Sequence, residues 1–307
     1  AQVSLFGFTL DNMSFSSALH AMGKLALSER YLELLLYGNT DSLYVFDKGT
    51  TDAKGISYVD FTFGAGGFEI PLLPSEYPVL RTGFSVSALV GVANADLTEF
   101  YGYLQSGWDG ITLHQDITLR TGFGGYGHKA MLGAACDLSQ NLQLGLTLDN
   151  LWGKLTWSAV AEELQYSLVA DSVYAVDIQD DFYVLRDERV AIADYATELP
   201  PEIRMAALWK DNKYSFSADY VQAFKHSAAT SKVGRLSFGA QLLPLPFLPL
   251  NFGLALGNEA YPWRASYGFG LKSKGSEFGF SVQSIDSIFP GQKSKGVSFG
   301  SYIRLWI

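Results

Sequence analysis

The sequence lacks a continuous apolar run long enough for a membrane-spanning helix, although its mean hydropathy is slightly positive at +0.10. Such a helix needs about 18 apolar residues in a row. The longest apolar stretch, residues 242–257, contains three prolines that one helix would not tolerate. Charged residues are also scarce, at 17%, against about 25% in ordinary globular domains. Hydrophobicity that is abundant but never continuous indicates a membrane β-barrel, in which every second residue faces lipid.

Cysteine and positive charge are scarce as well. Cys136 is the one cysteine, which excludes an internal disulfide, and the net charge of −9 disfavours nucleic acid as a partner. No signal peptide is visible in the sequence. A start at Ala1-Gln2-Val3 fits a secreted chain from which a signal has been removed at a small residue.

Apolar and polar residues alternate with a period of two along much of the chain, which predicts strands. The opposite faces carry Gly, Ser, Asn and Gln rather than the Lys and Glu of a solvated β-sandwich, the alternative fold. We therefore predict one all-β domain over residues 1–307, a transmembrane antiparallel β-barrel of about 14 strands with a short N-terminal helical segment. The alternating segments are 80–90, 111–120, 142–148, 214–220, 236–242, 250–256, 263–271, 277–283 and 297–307.

The lengths of the links predict an orientation. Short links such as 211–213 and 273–275 fall at one end of the strands, and longer links such as 286–295 fall at the other. Short periplasmic turns and long external loops are typical of outer-membrane barrels. The terminal strand, 297–307, should pair with the first strand so that no sheet edge is left in the membrane.

Two regions depart from the strand pattern. Residues 14–37 place apolar side chains such as Phe15, Leu19 and Met22 at helical spacing, which predicts a helix that either plugs the lumen or packs on the barrel rim. Residues 151–200 hold ten acidic and three basic residues, so they carry a net charge of −7 out of −9. We interpret them as one long acidic extracellular excursion, with two further spanning strands as the alternative.

Charged residues on the polar faces are candidates for the lumen wall, where ion pairs would satisfy them. These lumen-facing candidates are Arg81, His114, Asp116, Arg120, Asp219, Arg264, Glu277 and Arg304. Acidic residues of the excursion are candidates for docking a protein partner, because a solvated or docking surface accounts for them better than a Ca²⁺ loop with irregular spacing. These docking candidates are Asp177, Asp180, Asp181, Asp187 and Glu188.

Catalysis is not expected. His114 and Asp116 share one strand face and could serve acid–base chemistry, but no nucleophile motif accompanies them. The remaining histidines have no metal-ligand spacing. The glycine-rich stretch 122–127 has no helix after it and so does not form a phosphate loop. We expect no catalytic residue, no metal and no cofactor.

Two stretches resemble the FadL/PorV-like outer-membrane barrels. One is the hairpin of residues 137–153, and the other is residues 199–220, in which Leu199, Pro200 and Arg204 match the "L-P…R-x-G" pattern while Ala206 and Ala207 replace its glycine region. The resemblance implies a barrel of about 14 strands with internal obstructing segments. It also implies a bacterial outer-membrane protein that acts as a channel or binder for hydrophobic small molecules. The alternative that it implies is a non-transporting barrel that docks an envelope protein through residues 151–200.

Overall fold

The computed structural model describes residues 2–39, 43–71, 78–108, 110–173, 183–228, 230–257, 262–291 and 293–305. Within these residues, sixteen strands form one antiparallel sheet, accompanied by one helix. No helix among these residues has the length and hydrophobicity needed to cross a membrane. The all-β antiparallel barrel fold predicted from the alternation is confirmed.

The first half of the chain contains the helix and the longest strands. Its elements are β1 Gln2–Leu10, β2 Met13–Ala26, α1 Glu29–Tyr37, β3 Leu43–Asp47, β4 Asp52–Pro71, β5 Val79–Gly107, β6 Gly110–Asp137 and β7 Leu142–Val173.

The second half consists of short strands. They are β8 Tyr183–Ala191, β9 Tyr195–Glu198, β10 Glu202–Lys210, β11 Tyr214–Ala223, β12 Arg235–Leu245, β13 Leu248–Ala255, β14 Arg264–Lys272, β15 Ser276–Ile285 and β16 Gly296–Leu305.

Thirteen strands follow one another as hydrogen-bonded neighbours, in the order β1-β2-β4-β5-β6-β7-β10-β11-β12-β13-β14-β15-β16. This count is close to the predicted fourteen. The short links 138–141, 211–213, 246–247 and 273–275 lie at one end of the strands, which we call the turn end. The long links 224–234, 256–263 and 286–295 lie at the other end, which we call the loop end, as the link lengths predicted. The two-residue link 108–109 between β5 and β6 also lies on the loop-end side.

The two outermost strands of this path, β1 and β16, run in the same direction, because thirteen antiparallel neighbours separate them by an even number of reversals. Within the described residues they are not paired with each other, so the predicted pairing of the terminal strand with the first strand is not formed. An antiparallel ladder cannot join two strands that run in the same direction.

The helix predicted over residues 14–37 is wrong in its first half. Met13–Ala26 is strand β2, which pairs with β4 at every position from Met13 opposite Ala65 to Ala26 opposite Asp52. Pairing along that long ladder stabilises the strand more than the helical spacing of apolar residues would stabilise a helix. Strand formation depends on the neighbouring strands as well as on local sequence. The helix α1 begins instead after Ser28, whose hydroxyl accepts a hydrogen bond of 3.1 Å from the backbone N–H of Tyr31.

The acidic excursion over residues 151–200 is a long hairpin extension. β7 continues 24 residues beyond Asp149, to Val173, and β8, β9 and then β10 return along the same edge of β7. The segment therefore adds no further strand to the path of thirteen. β5 and β6 extend in the same way, so that β3, β5, β6, β7 and β8 project as one sheet beyond the loop end.

Candidate functional site

The sheet has an inner and an outer face, which the register distinguishes. Residues directly opposite each other on neighbouring strands share a face. On the face that carries Leu89 and Trp157, side chains of β5 contact side chains of β7 and β9, although β6 lies between them. The sheet is therefore concave on this face. We call this the inner face. The outer face carries large exposed apolar side chains, among them Phe61, Phe63 and Val86.

An apolar cluster lies on the inner face, which is otherwise rich in Ser, Gly, Asn and charged residues. We call it the inner cluster. Its residues come from β4, β5, β7 and the link before β10, and each is at most 4% exposed. Met22 of β2, Tyr195 of β9 and Ala228 of the β11–β12 loop pack against it. The members of the inner cluster are Ile56, Tyr58, Leu89, Leu155, Trp157 and Leu199.

Trp157 is the largest member, and it packs on glycines of β6, the adjacent strand, and of β5, the strand beyond it. A methyl group on Gly91 would lie 2.6 Å from Cζ3 of the indole, and one on Gly122 would lie 2.9 Å from its Cγ. A methyl group on Gly125 would lie 3.1 Å from Cε3 of the ring. A side chain at Gly91 or Gly122 would crowd the indole, and one at Gly125 would also collide with the backbone carbonyl of Thr156. The glycine-rich stretch 122–127 thus makes room for an aromatic ring on the inner face rather than binding phosphate.

The indole is also fixed by a hydrogen bond. Its Nε1–H donates to the hydroxyl of Thr197 on β9 over 2.9 Å. Trp157 is fully buried, so this bond satisfies a donor that water does not reach. Leu199, two residues after Thr197, covers the cluster from the same segment.

A charged group lies beside the cluster toward the turn end. Asp60 on β4 is 6% exposed, and its carboxylate accepts hydrogen bonds from Nε2 of His20 at 2.9 Å and from the backbone N–H of Ala18 at 3.0 Å. The Nζ of Lys129 lies 3.6 Å from the same carboxylate. The His20 ring stacks on Tyr58 with centroids 4.8 Å apart, which joins this charged group to the inner cluster.

A second polar layer lies on the loop-end side of the cluster. The side-chain amide of Asn94 donates to the hydroxyl of Tyr195 over 2.9 Å. The guanidinium of Arg120 donates from Nε and Nη2 to Glu163 over 3.1 and 2.9 Å, and it lies 5.4 Å from the centroid of the Tyr195 ring. The inner cluster is therefore an apolar layer between two polar layers.

By register, all eight lumen-facing candidates lie on the inner face, but they do not form one site. At the turn end, Arg81 contacts Glu69 and Asp137, with its Nη2 2.6 Å from the Asp137 carboxylate. Asp219 and Arg264 lie further along the sheet, on β11 and β14. Glu277 accepts a hydrogen bond from the hydroxyl of Tyr302 and lies 4.0 Å from Nη1 of Arg304. Arg120 alone of the eight lies beside the inner cluster. Their role in lining a lumen stays a prediction.

His114 and Asp116 lie in the sheet extension, the part of β3, β5, β6, β7 and β8 that projects beyond the loop end. They form a hydrogen-bonded pair, with Nε2 and Oδ2 2.7 Å apart. Asp116 also accepts a hydrogen bond from Ser167, and this bond, followed by the contact with His114, holds the pKa of Asp116 below its usual value against the opposing effect of partial burial. The Asp116 carboxylate therefore lies between the Ser167 hydroxyl and the His114 imidazole. A nucleophilic serine needs the imidazole in the middle position, so the arrangement does not activate Ser167.

Of the docking candidates, Asp177, Asp180 and Asp181 lie outside the described residues. Asp187 and Glu188 lie on β8, where every residue is exposed. Glu188 is 3.5 Å from Nε of Arg186. Among the described residues, no three His, Cys, Asp or Glu side chains gather as a metal site.

Reasoning from the sequence missed the residues that converge on the inner face from distant positions. Trp157, Asp60, His20 and Lys129 were not among the candidates. One available signal was the run of glycines at 122–127, which indicates a close approach of another group to the backbone. The charged group had no local signal, because its members are 40 and 69 residues apart along the chain.

Comparison with known proteins supports the fold. No family model matches the sequence, and no curated protein is similar to it at a significant level. The toluene transporter TbuX of Ralstonia pickettii superposes with a TM-score of 0.56 at 12% identity, over 98% of this chain and 80% of the transporter. The toluene transporter TodX of Pseudomonas putida superposes with a TM-score of 0.51 at 13% identity, over 92% and 76%. The chain therefore has a FadL-like barrel fold, and neither likeness points specifically to a PorV-like barrel.

Proposed function

We propose that this protein is a bacterial outer-membrane barrel that binds hydrophobic small molecules on its inner face and passes them inward. The observation that carries the proposal is the inner cluster, an apolar layer between polar layers on a face that a water-filled pore would keep polar. Hydrophobic ligand sites are concave and mostly apolar, with a few polar groups that fix orientation. The likeness in fold to two toluene transporters agrees with this proposal and suggests small aromatic hydrocarbons as the first ligands to test.

The inner cluster is tightly packed, so a ligand would enter by displacing one of its side chains. Trp157 is the member whose displacement would free the most space, and its glycine surroundings would accept a flat ring of similar shape. We therefore expect ligand binding to change the environment of the Trp157 indole. A change at Trp157 would report binding at a specific site, which distinguishes it from general partition of the ligand into lipid.

The test is ¹⁹F NMR of the 5-fluorotryptophan-labelled protein in lipid nanodiscs during titration with toluene. The Trp157 resonance is assigned by its loss in Trp157→Phe. Trp209, which is 40% exposed on the outer face, reports toluene that merely dissolves in lipid. We expect a saturable change at Trp157 and a non-saturable or absent change at Trp209. No saturable change at Trp157 up to the solubility of toluene would contradict the proposal.

A second function, docking of an envelope protein, is favoured by β8. This strand pairs only with β7 among the described residues, and all nine of its residues are exposed. An exposed edge strand is a template for pairing with another chain. The test is co-purification with a doubly charge-reversed variant, Asp187→Lys with Glu188→Lys, and Glu29→Lys as the control. Loss of a partner from the double variant alone supports docking. Absence of any partner from the wild-type protein contradicts it.

A further inference from the structure

The helix α1 packs on the outer face of the sheet rather than in the lumen. Its Tyr31 ring lies 5.2 Å from the ring of Phe46 and 5.8 Å from that of Phe100, and Leu34 packs against the same cluster. We call this the outer cluster, and its buried members are Tyr44, Phe46, Leu97 and Phe100. The outer cluster is on the outer face, because Leu97 shares that face with Ala95 and Ala93 of the same strand.

A second flank of the helix is apolar and uncovered. Leu32, Leu35 and Leu36 are 39%, 65% and 70% exposed. These three leucines lie beside Tyr31 and Leu34 on the helix surface. Because successive helical residues are rotated by about 100° around the axis, Leu35 is about 160° away from Glu33. The third flank is polar, with Nη1 of Arg30 3.3 Å from the carboxylate of Glu33.

Along the chain, the uncovered flank follows directly after the loop end of β2. Leu25, at the loop end of β2, is on the outer face and is 70% exposed, and Leu27 in the link to α1 is 37% exposed. Further toward the turn end, the outer face of β4 presents Phe61 and Phe63. A membrane barrel presents this face to hydrocarbon, so the helix stands at the boundary where that surface ends.

We propose that α1 is an interfacial helix whose Leu32, Leu35 and Leu36 flank enters the outer boundary of the lipid bilayer. Three sides of the helix then meet three environments: protein at Tyr31 and Leu34, lipid at the leucines, and water at Arg30 and Glu33. Short amphipathic helices bind at membrane interfaces in this way, with the apolar flank among the acyl chains and the charged flank in water. Nine residues span only about 14 Å, so the helix lies along the boundary and does not cross the bilayer.

Lipid accounts for this flank better than a protein partner does. A partner would need its own apolar surface shaped to a barrel wall that is immersed in lipid further toward the turn end. The exposed leucines are long and flexible, which suits contact with fluid acyl chains. The inference rests on the membrane location in the proposed function, so the experiment includes a position that tests that location independently.

The experiment is spin-label accessibility in phosphatidylcholine nanodiscs, with Cys136→Ser as the cysteine-free background. One nitroxide is placed at Leu35→Cys, a matched label at Glu33→Cys on the polar flank of the same helix, and a third at Phe63→Cys on the outer wall. Collision with oxygen, which concentrates in lipid, is compared with collision with a water-soluble nickel chelate. Leu36→Cys serves as a second apolar position if Leu35→Cys does not fold.

We expect the Leu35 and Phe63 labels to collide with oxygen several-fold more than with nickel, and the Glu33 label to show the reverse preference. If the Leu35 label prefers nickel while the Phe63 label prefers oxygen, the flank is in water and the inference is overturned. Shielding of the Leu35 label from both reagents would overturn it as well, because a protein surface or a second copy would then cover the flank. A Phe63 label that prefers nickel would instead contradict the membrane location.

Discussion

The indole Nε1–H of Trp157 on β7 donates a hydrogen bond of 2.9 Å to the hydroxyl of Thr197, which lies 40 residues later on the returning strand β9. This contact links the largest side chain of the inner cluster to the segment that also supplies Leu199. The acidic excursion is therefore more than an external loop. Its base forms part of the apolar layer on the inner face.

Replacing Thr197 should weaken the inner cluster through that single bond. Thr197→Val leaves the buried indole N–H without an acceptor, which costs about 1–3 kcal/mol of folding free energy. Thr197→Ser keeps the hydroxyl and should preserve most of the stability. Urea unfolding in lipid nanodiscs measures both variants, and equal stability of the two would show that the bond contributes nothing.

The glycines beneath Trp157 should be intolerant of even a methyl group. Gly91→Ala places a carbon atom 2.6 Å from the indole, and overpacking of this kind costs about 1–3 kcal/mol. Gly133→Ala is the matched control, because the new methyl group on the inner face of β6 would meet its nearest atom only at 4.0 Å. Its effect should stay within about 0.5 kcal/mol. Similar stability losses in both variants would mean that the packing on Trp157 is not the cause.

The carboxylate of Asp60 should stabilise the buried ammonium group of Lys129. Asp60 and Lys129 side chains are 9% and 13% exposed, and removing one charge of a buried pair costs about 3–5 kcal/mol. Asp60→Asn should therefore be strongly destabilising, and Lys129→Met added to it should recover a large part of the loss. A double-mutant cycle measured by chemical unfolding gives the coupling. Additive effects of the two substitutions would contradict the expected interaction.

The sheet extension should lose a stabilising contact in acid. The hydrogen bond from Ser167, and then the contact with His114, keeps the pKa of Asp116 below its ordinary value in the folded protein. A lowered folded-state pKa means that the contribution to stability is complete above the unfolded-state pKa of about 3.9 and is lost as the pH falls through the folded-state pKa.

Ser167→Ala should raise the pKa of Asp116 toward its usual value, which ¹³C NMR titration of the side-chain carboxyl carbon would measure. The variant should be less stable than the wild-type protein at neutral pH, and the difference should shrink below about pH 4. A difference in stability that is independent of pH, or an unchanged titration of Asp116, would show that Ser167 does not act on this carboxylate.

The strand pattern was readable from the sequence because the period-two alternation of apolar and polar residues is a local property. It identified the strands from β11 to β16, assigned charged residues such as Arg81 and Arg264 to one face, and distinguished short links from long ones. The same local reasoning failed at Met13–Ala26, where apolar residues also happen to follow a helical spacing. There the ladder with β4, a long-range interaction, determined the structure.

The sequence by itself determined that this chain forms a sheet with one apolar and one polar face, since each residue's side follows from its position in the strand. Only the tertiary structure decided which residues meet on the concave face. Trp157 reaches Gly91 across an intervening strand, and His20, Asp60 and Lys129 converge from three strands. Such contacts depend on register and on the curvature of the whole sheet, which are properties that no local window of sequence contains.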